Sequence, residues 1–490
     1  MTSDLQEQMR RQMADQALFR QAFEHGLSYL SGVDDRPVYP SDEAVASLAS
    51  FAMPLPEGSC DPGRVLDTLN AIGAPATTAQ MGGRYFGFVN GGAVPIGLAA
   101  RLMADCWDQN AALTAMSPIA GKLEEVAEDW LRDLFDLPQG TVAGFVSGTS
   151  LAIVAGLAAG RWRIAERAGW DINAKGFAGA PPIRIITSRH THSAVIKAIG
   201  LLGFGTDIIE WVEVDAQGRM RADLIPDLDA SCLVVAQAGN VNSGAFDPLD
   251  AICDRANAAG AWVHVDGAFG LWAQAAKGLR HLTKGMEKAQ SFSVDAHKTL
   301  NAPYDSGIVL STDAQALASA LQASGSYLLF DGARDGMTTT PEMSRRARGI
   351  ELWAILAALG RSGIDALIQG LHDRAVQMAD ELEDAGFEVL NDVVFNQVMV
   401  AQETDEVTEA LLKELQSDGT CWVGGASWFG RKIIRISICS WATTPEDVSR
   451  TVAAFSRCQS ALAHSPAARR GVGGGGRRGC EPARSDLAKT

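Results

Sequence analysis

The chemistry-bearing part of the chain centres on Ser293-Val-Asp-Ala-His-Lys-Thr-Leu300, a short apolar strand pattern that ends in a lysine beside a histidine. Asn301-Ala-Pro303 follows as a turn, which places Lys298 at a strand end near the interior. An amine there loses hydration, its pKa falls, and it suits Schiff-base chemistry. A solvated surface lysine is the plain alternative. Upstream, His264-Val-Asp266-Gly-Ala268 reads as a second apolar strand that ends in a carboxylate. The separation of Asp266 and Lys298 suffices for one crossover between neighbouring strands.

Two more turns are built the same way. Val146-Ser147-Gly148-Thr149-Ser150 joins a strand to a helix. Small hydroxyl residues and glycine at a helix N-terminus bind phosphate through free backbone N–H groups and the helix dipole, or simply cap the helix. No Walker-type lysine follows, which weighs against a nucleotide. Ser188-Arg-His-Thr-His192-Ser193-Ala194 also follows a strand and starts a helix. A histidine there could cap or shuttle protons.

Taken together and in this order, these motifs resemble the pyridoxal-phosphate-dependent amino acid decarboxylases of the group that includes aromatic amino acid and glutamate decarboxylases. The resemblance runs from about residue 80 to about 455. It implies the aspartate aminotransferase fold (fold type I), pyridoxal 5'-phosphate as cofactor, an L-amino acid substrate, amine and carbon dioxide as products, and a homodimer. By the same resemblance Lys298 carries the cofactor and Asp266 faces its pyridine nitrogen. A carboxylate there keeps that nitrogen protonated, as an electron sink requires. His192 stacks on the ring, Ala268 lines its other face, and Thr149, Ser150 and His297 hold the phosphate.

Other matches are looser. The turn 239–248 lacks the threonines common in the family, so Asn240 and Asn242 stand as ring-hydroxyl or substrate-side contacts. The resemblance implies a mobile loop over 327–341 whose tyrosine donates a proton, and Tyr327 is the tyrosine at hand. Without it, the chemistry would shift toward transamination or an oxidative, aldehyde-forming reaction. Glycine-dense Gly82-Gly-Arg-Tyr-Phe-Gly-Phe-Val-Asn-Gly-Gly92 is a tight turn or the family's substrate-side loop. Arg435 could bind a carboxylate or make a structural ion pair. His190 is read as structural. The remaining alternatives are an aminotransferase, a carbon–carbon lyase, or a degenerate, non-catalytic homologue.

Composition bounds the rest. With 490 residues, two or three structural units are expected. The net charge of −16 argues against nucleic acid or an anionic membrane as the main partner. The 8 cysteines form no C-x-x-C pair and no zinc-spaced cluster with histidine, so no metal is expected. The polar start lacks a signal-peptide apolar core and no stretch reaches a membrane span's length, which places the chain in the cytoplasm.

The elements that must position the site alternate from residue 141 onward. Strands are predicted at 141–146, 183–187, 208–214, 233–237, 262–266, 291–294 and 307–310, with helices at 151–165, 193–202 and 249–259. This is an α/β pattern with a mostly parallel sheet, whose ligands lie beyond the strand ends. Residues 1–80 are predicted as an N-terminal helical arm, 81–343 as the cofactor-binding large domain, and 344–460 as a smaller α+β domain. In that last unit two helices, 345–360 and 364–385, meet at a glycine. The basic, glycine-rich stretch 461–490 is predicted to be disordered and dispensable. Its formal G-x-G-x-x-G match at Gly471, Gly473 and Gly476 follows no strand and opens no helix, so it is not a dinucleotide site.

Overall fold

The computed structural model describes residues 2–321 and 335–464. Its N-terminal part is helical: α1 (Thr2–Asp15), α2 (Ala17–Ser31), α3 (Asp42–Ser47), α4 (Pro62–Thr68), α5 (Pro95–Trp107) and α6 (Pro118–Leu134). Capping follows the sequence. The hydroxyls of Ser41 and Ser117 accept from the N–H of Ala44 and Ala120, and Asp61 accepts from Arg64. The break between α1 and α2 is Gln16, at a φ of 61°.

The next elements are β1 (Val142–Val146), α7 (Thr149–Arg167), α8 (Ile172–Lys175), β2 (Arg184–Ser188), α9 (Ser193–Leu201), β3 (Ile209–Val212), β4 (Cys232–Gln237), α10 (Leu249–Ala258), β5 (Trp262–Asp266), β6 (Ser291–Asp295), β7 (Gly307–Ser311) and α11 (Ala314–Leu321). Their strands form a seven-stranded sheet in the order β1-β7-β6-β5-β4-β2-β3. β7 runs antiparallel to both neighbours, and the other pairings are parallel. β4, β5, β6 and β7 are buried along their whole length, as strands covered on both faces must be. Fully burying a side chain such as Phe292 contributes about 1.5–3 kcal/mol.

The chain ends with α12 (Gly349–Asp384), β8 (Glu388–Val389), β9 (Gln397–Ala401), α13 (Asp405–Asp418), β10 (Gly424–Trp428), β11 (Arg431–Ser437) and α14 (Pro445–His464). A four-stranded antiparallel sheet, β10-β11-β9-β8, packs there around its own core of residues such as Val398, Ile434, Ile436 and Phe455. The predicted glycine join within α12 is Gly360, whose φ of 58° interrupts the helix. Sequence periodicity passed over α5, α11, α13 and β10. The small residues of β10, Gly-Gly-Ala-Ser-Trp, carry little strand signal, and pairing with β11 decides them.

Candidate active site

Because β1 and β6 both run antiparallel to β7, the carboxyl ends of β1, β2, β4, β5 and β6 lie along one edge of the sheet. Every strand-end motif in the sequence therefore opens at that edge, where ligands of open α/β sheets bind.

Asp295 ends β6 and is 2% exposed. One of its oxygens accepts from the Thr149 N–H at 2.7 Å, and the other from the Thr149 hydroxyl at 2.8 Å. The second oxygen also pairs with the Lys298 Nζ at 3.0 Å and lies 3.5 Å from the His297 Nε2. One carboxylate thus joins the N-terminus of α7 to the lysine turn. Asp295 was missed in the sequence, although a carboxylate three residues before the lysine was its signal. Glycine makes the contact possible: a Cβ on Gly307 would lie 2.4 Å from the Cα of Gly148.

Asp266 ends β5, the neighbour of β6. Its Oδ1 accepts from the Ala268 N–H at 3.2 Å and from the Ser293 hydroxyl at 3.3 Å. Burial raises the pKa of this carboxyl, opposed by the charges of His192 and Lys298. His192 caps α9, with its Nδ1 3.2 Å from the Ala194 N–H. A backbone N–H only donates, so Nδ1 is the acceptor and Nε2 carries the proton of the neutral ring. Burial lowers the His192 pKa. Asp266 and Asp295 oppose that, while Lys298 and Arg435 add to it. His297 follows the same logic, its Nδ1 accepting from the Ser306 N–H at 3.1 Å. Burial lowers its pKa, opposed by Asp295.

Arg435 enters from β11 of the other sheet. Its guanidinium is 3.4 Å from the Asn242 Oδ1, and its Nε is buried without a hydrogen-bond partner. Among the described residues Arg435 makes no ion pair, so the structural-pair alternative has no partner here. Burial lowers its pKa.

The remaining sequence candidates fall as follows. Thr149 is buried and turned toward Asp295, whereas Ser150 is exposed beside it. Ala268 is half-buried next to Asp266. Asn240 closes its own loop, its Oδ1 accepting from the Asn242 and Ser243 N–H groups. His190 packs against Trp428 and Phe429. Tyr327 lies outside the described residues, as does 465–490 of the stretch predicted to be disordered, whose residues 461–464 instead complete the last turn of α14.

This donor set fits pyridoxal 5'-phosphate. The helix N-terminus at Thr149 and Ser150 suits its phosphate, and buried Asp266 suits its ring nitrogen. Lys298 offers an amine, and the orphaned Arg435 Nε marks a place for an anion.

The comparisons with known proteins give the family and the fold. The profile of the pyridoxal-dependent decarboxylase conserved domain matches residues 64–401. The L-2,4-diaminobutyrate decarboxylase of Rhizobium meliloti is 30% identical over 380 residues, 72% of this chain and 71% of that protein. Tryptophan decarboxylase 1 of Oryza sativa subsp. japonica is 26% identical over 464 residues, 84% and 87% of the two chains. Among solved structures, Oryza sativa TDC with PLP and tryptamine superposes with a TM-score of 0.83 at 22% identity, covering 91% of this chain and 98% of that one. Mouse CSAD gives 0.83 at 22% identity, covering 91% and 99%. At those identities the structural matches speak for the fold.

Proposed function

Because the chain belongs to the pyridoxal-dependent decarboxylase family, we propose that Lys298, Asp266, His192 and Arg435 carry its conversion of an L-amino acid to the amine and carbon dioxide. Bound pyridoxal 5'-phosphate supplies the electron sink for the pair left at Cα when the carboxylate departs. The chain's residues hold and tune that sink. Lys298 would hold the cofactor through its amine. Asp266 keeps a proton on the ring nitrogen, and its burial strengthens that pairing. His192 orients the ring from α9. Ser150 and His297 hold the phosphate at the start of α7, beside Thr149, whose N–H and hydroxyl are taken by Asp295. Ala268 is small enough to leave the ring's other face clear. Arg435 receives a substrate carboxylate at its unpartnered Nε.

The observation that carries this reading is electrostatic convergence. Asp266 and Asp295 end β5 and β6, Lys298 follows β6, and Arg435 lies within β11 of the other sheet, yet the charges of all four bear on the His192 imidazole. Fold alone would not suffice, since one scaffold hosts many reactions.

A homodimer is supported by the apolar side chains that α1 and α2 leave exposed, among them Met9, Met13, Phe19 and Phe23. A cytoplasmic role in amino acid metabolism is supported by unpaired thiols, such as buried Cys253, Cys421 and Cys439. The test is release of carbon dioxide and amine by the PLP-loaded protein. The panel should span 2,4-diaminobutyrate, tryptophan and cysteine sulfinate, the substrates in the names of its relatives. A loaded protein that releases carbon dioxide from none of a full amino acid panel, or yields only aldehyde or keto acid, would overturn the reading.

A further inference from the structure

The lysine turn does not stand alone. Its two ends are clamped, since the Ala296 and His297 N–H groups both donate to the Ser306 carbonyl, at 3.0 and 3.2 Å. Between them projects Tyr304, which the reaction scheme above does not use. Its ring stacks on the His297 ring with centroids 4.2 Å apart and planes 29° apart. Its hydroxyl donates to the Asn90 Oδ1 at 2.8 Å. Tyr304 keeps 46% of its surface open, so core packing does not explain where it sits.

Asn90 belongs to the glycine-dense loop 82–92, and that loop lies on the lysine turn. A Cβ on Gly91 would fall 2.5 Å from both the Lys298 carbonyl oxygen and the Asn301 Nδ2. The Val94 N–H then donates to the Asn301 carbonyl at 2.9 Å. The same loop presents Phe88, largely exposed at a φ of 53° and 5.2 Å from the Trp422 ring. An exposed aromatic held in a left-handed conformation on the loop that touches the lysine turn is placed to meet an incoming molecule.

We propose that Tyr304 is a positioning residue that ties this loop to the lysine turn. Its hydroxyl holds the loop through Asn90, and its ring holds the His297 imidazole. The two halves act on different ligands. The hydroxyl keeps Phe88 and Gly91 in register with Lys298 and so acts on amino acid binding. The ring fixes the plane in which the His297 Nε2 proton points toward Asp295 and the start of α7, and so acts on cofactor binding. The inference rests on the proposed roles of Lys298 and His297.

The experiment separates the halves. Tyr304→Phe keeps the ring, conserves volume and removes the donor. It should raise KM for the amino acid roughly 3–10-fold, the effect of one lost neutral hydrogen bond, and leave the PLP dissociation constant within twofold. Asn90→Ala should do the same, and the double variant should be no worse than either single one. Tyr304→Leu should in addition weaken PLP binding, measured by titrating cofactor-free protein. Additive effects of Tyr304→Phe and Asn90→Ala would overturn the coupling. Equal PLP affinity in Tyr304→Leu and Tyr304→Phe would overturn the role of the ring. Wild-type protein that takes up PLP without Lys298 would instead overturn the functional reading beneath it.

Discussion

Asp295 grips Thr149 with both carboxylate oxygens, and through one of them it also holds Lys298. It is therefore the joint between α7 and the lysine turn. Asp295→Ala leaves the Thr149 donors and the Lys298 ammonium without their partner. Cofactor-free protein should lose stability at or below the roughly 3–5 kcal/mol typical of a broken buried pair, because Lys298 keeps 19% of its side chain exposed. Denaturant unfolding measures it, and an unchanged midpoint would show that the joint carries no net stability.

Lys298→Ala should show neither the visible absorbance of lysine-linked cofactor nor turnover. Borohydride treatment followed by peptide mapping is the check. A reduced adduct on another lysine would move the assignment away from Lys298.

Asp266→Asn should still take up cofactor and still link it to Lys298, because neither step depends strongly on the protonated ring nitrogen. Turnover should fall roughly 10²–10³-fold, the usual effect of removing one preorganised electrostatic partner. The decisive comparison is kcat beside cofactor occupancy. Full occupancy with near-normal kcat would reduce Asp266 to a turn residue.

Ser150→Ala should weaken cofactor retention rather than chemistry. Loss of a charge-assisted hydrogen bond costs on the order of 1.5–3 kcal/mol, and excess PLP should restore part of the activity. Ser150 is the informative position, because a Thr149 variant would also disturb Asp295. An unaltered PLP dissociation constant would remove Ser150 from the site.

His264 supplies a pH test of stability. Its Nδ1 lies 2.8 Å from the Ser291 Oγ, its Nε2 is buried without a partner, and burial pushes its pKa from 6.5 down to about 3. The unfolded chain therefore binds a proton below pH 6.5 that the folded chain refuses. Stability is full above pH 6.5 and falls as pH drops through the window down to about 3. Between pH 7 and 4.5 the loss from this group should be roughly 2–3 kcal/mol. The difference in unfolding free energy between wild type and His264→Gln should narrow by that amount over this range. A pH-independent difference would show that His264 is protonated or solvated in the folded state.

Much of the site was legible because its residues end strands. Asp266 and Lys298 follow runs that read as apolar strands, and Thr149, Ser150 and His192 stand where such runs turn into helices. Local periodicity determines those positions, and parallel strands deliver their carboxyl ends to one edge whatever the detailed sheet order. The sequence by itself therefore determined the α/β fold, the edge on which the candidate site lies and most of the candidate residues gathered there. Tertiary structure decided what those residues touch. Arg435 reaches Asn242 from a second sheet, Asp295 clasps a helix that begins far upstream, and Tyr304 meets Asn90 across the lysine turn. Such contacts depend on strand order and on the approach of glycine-lined backbones, and neither leaves a period in the chain. Spacing reports the element on which a residue sits, whereas its partner is set by the non-local packing that brings elements together.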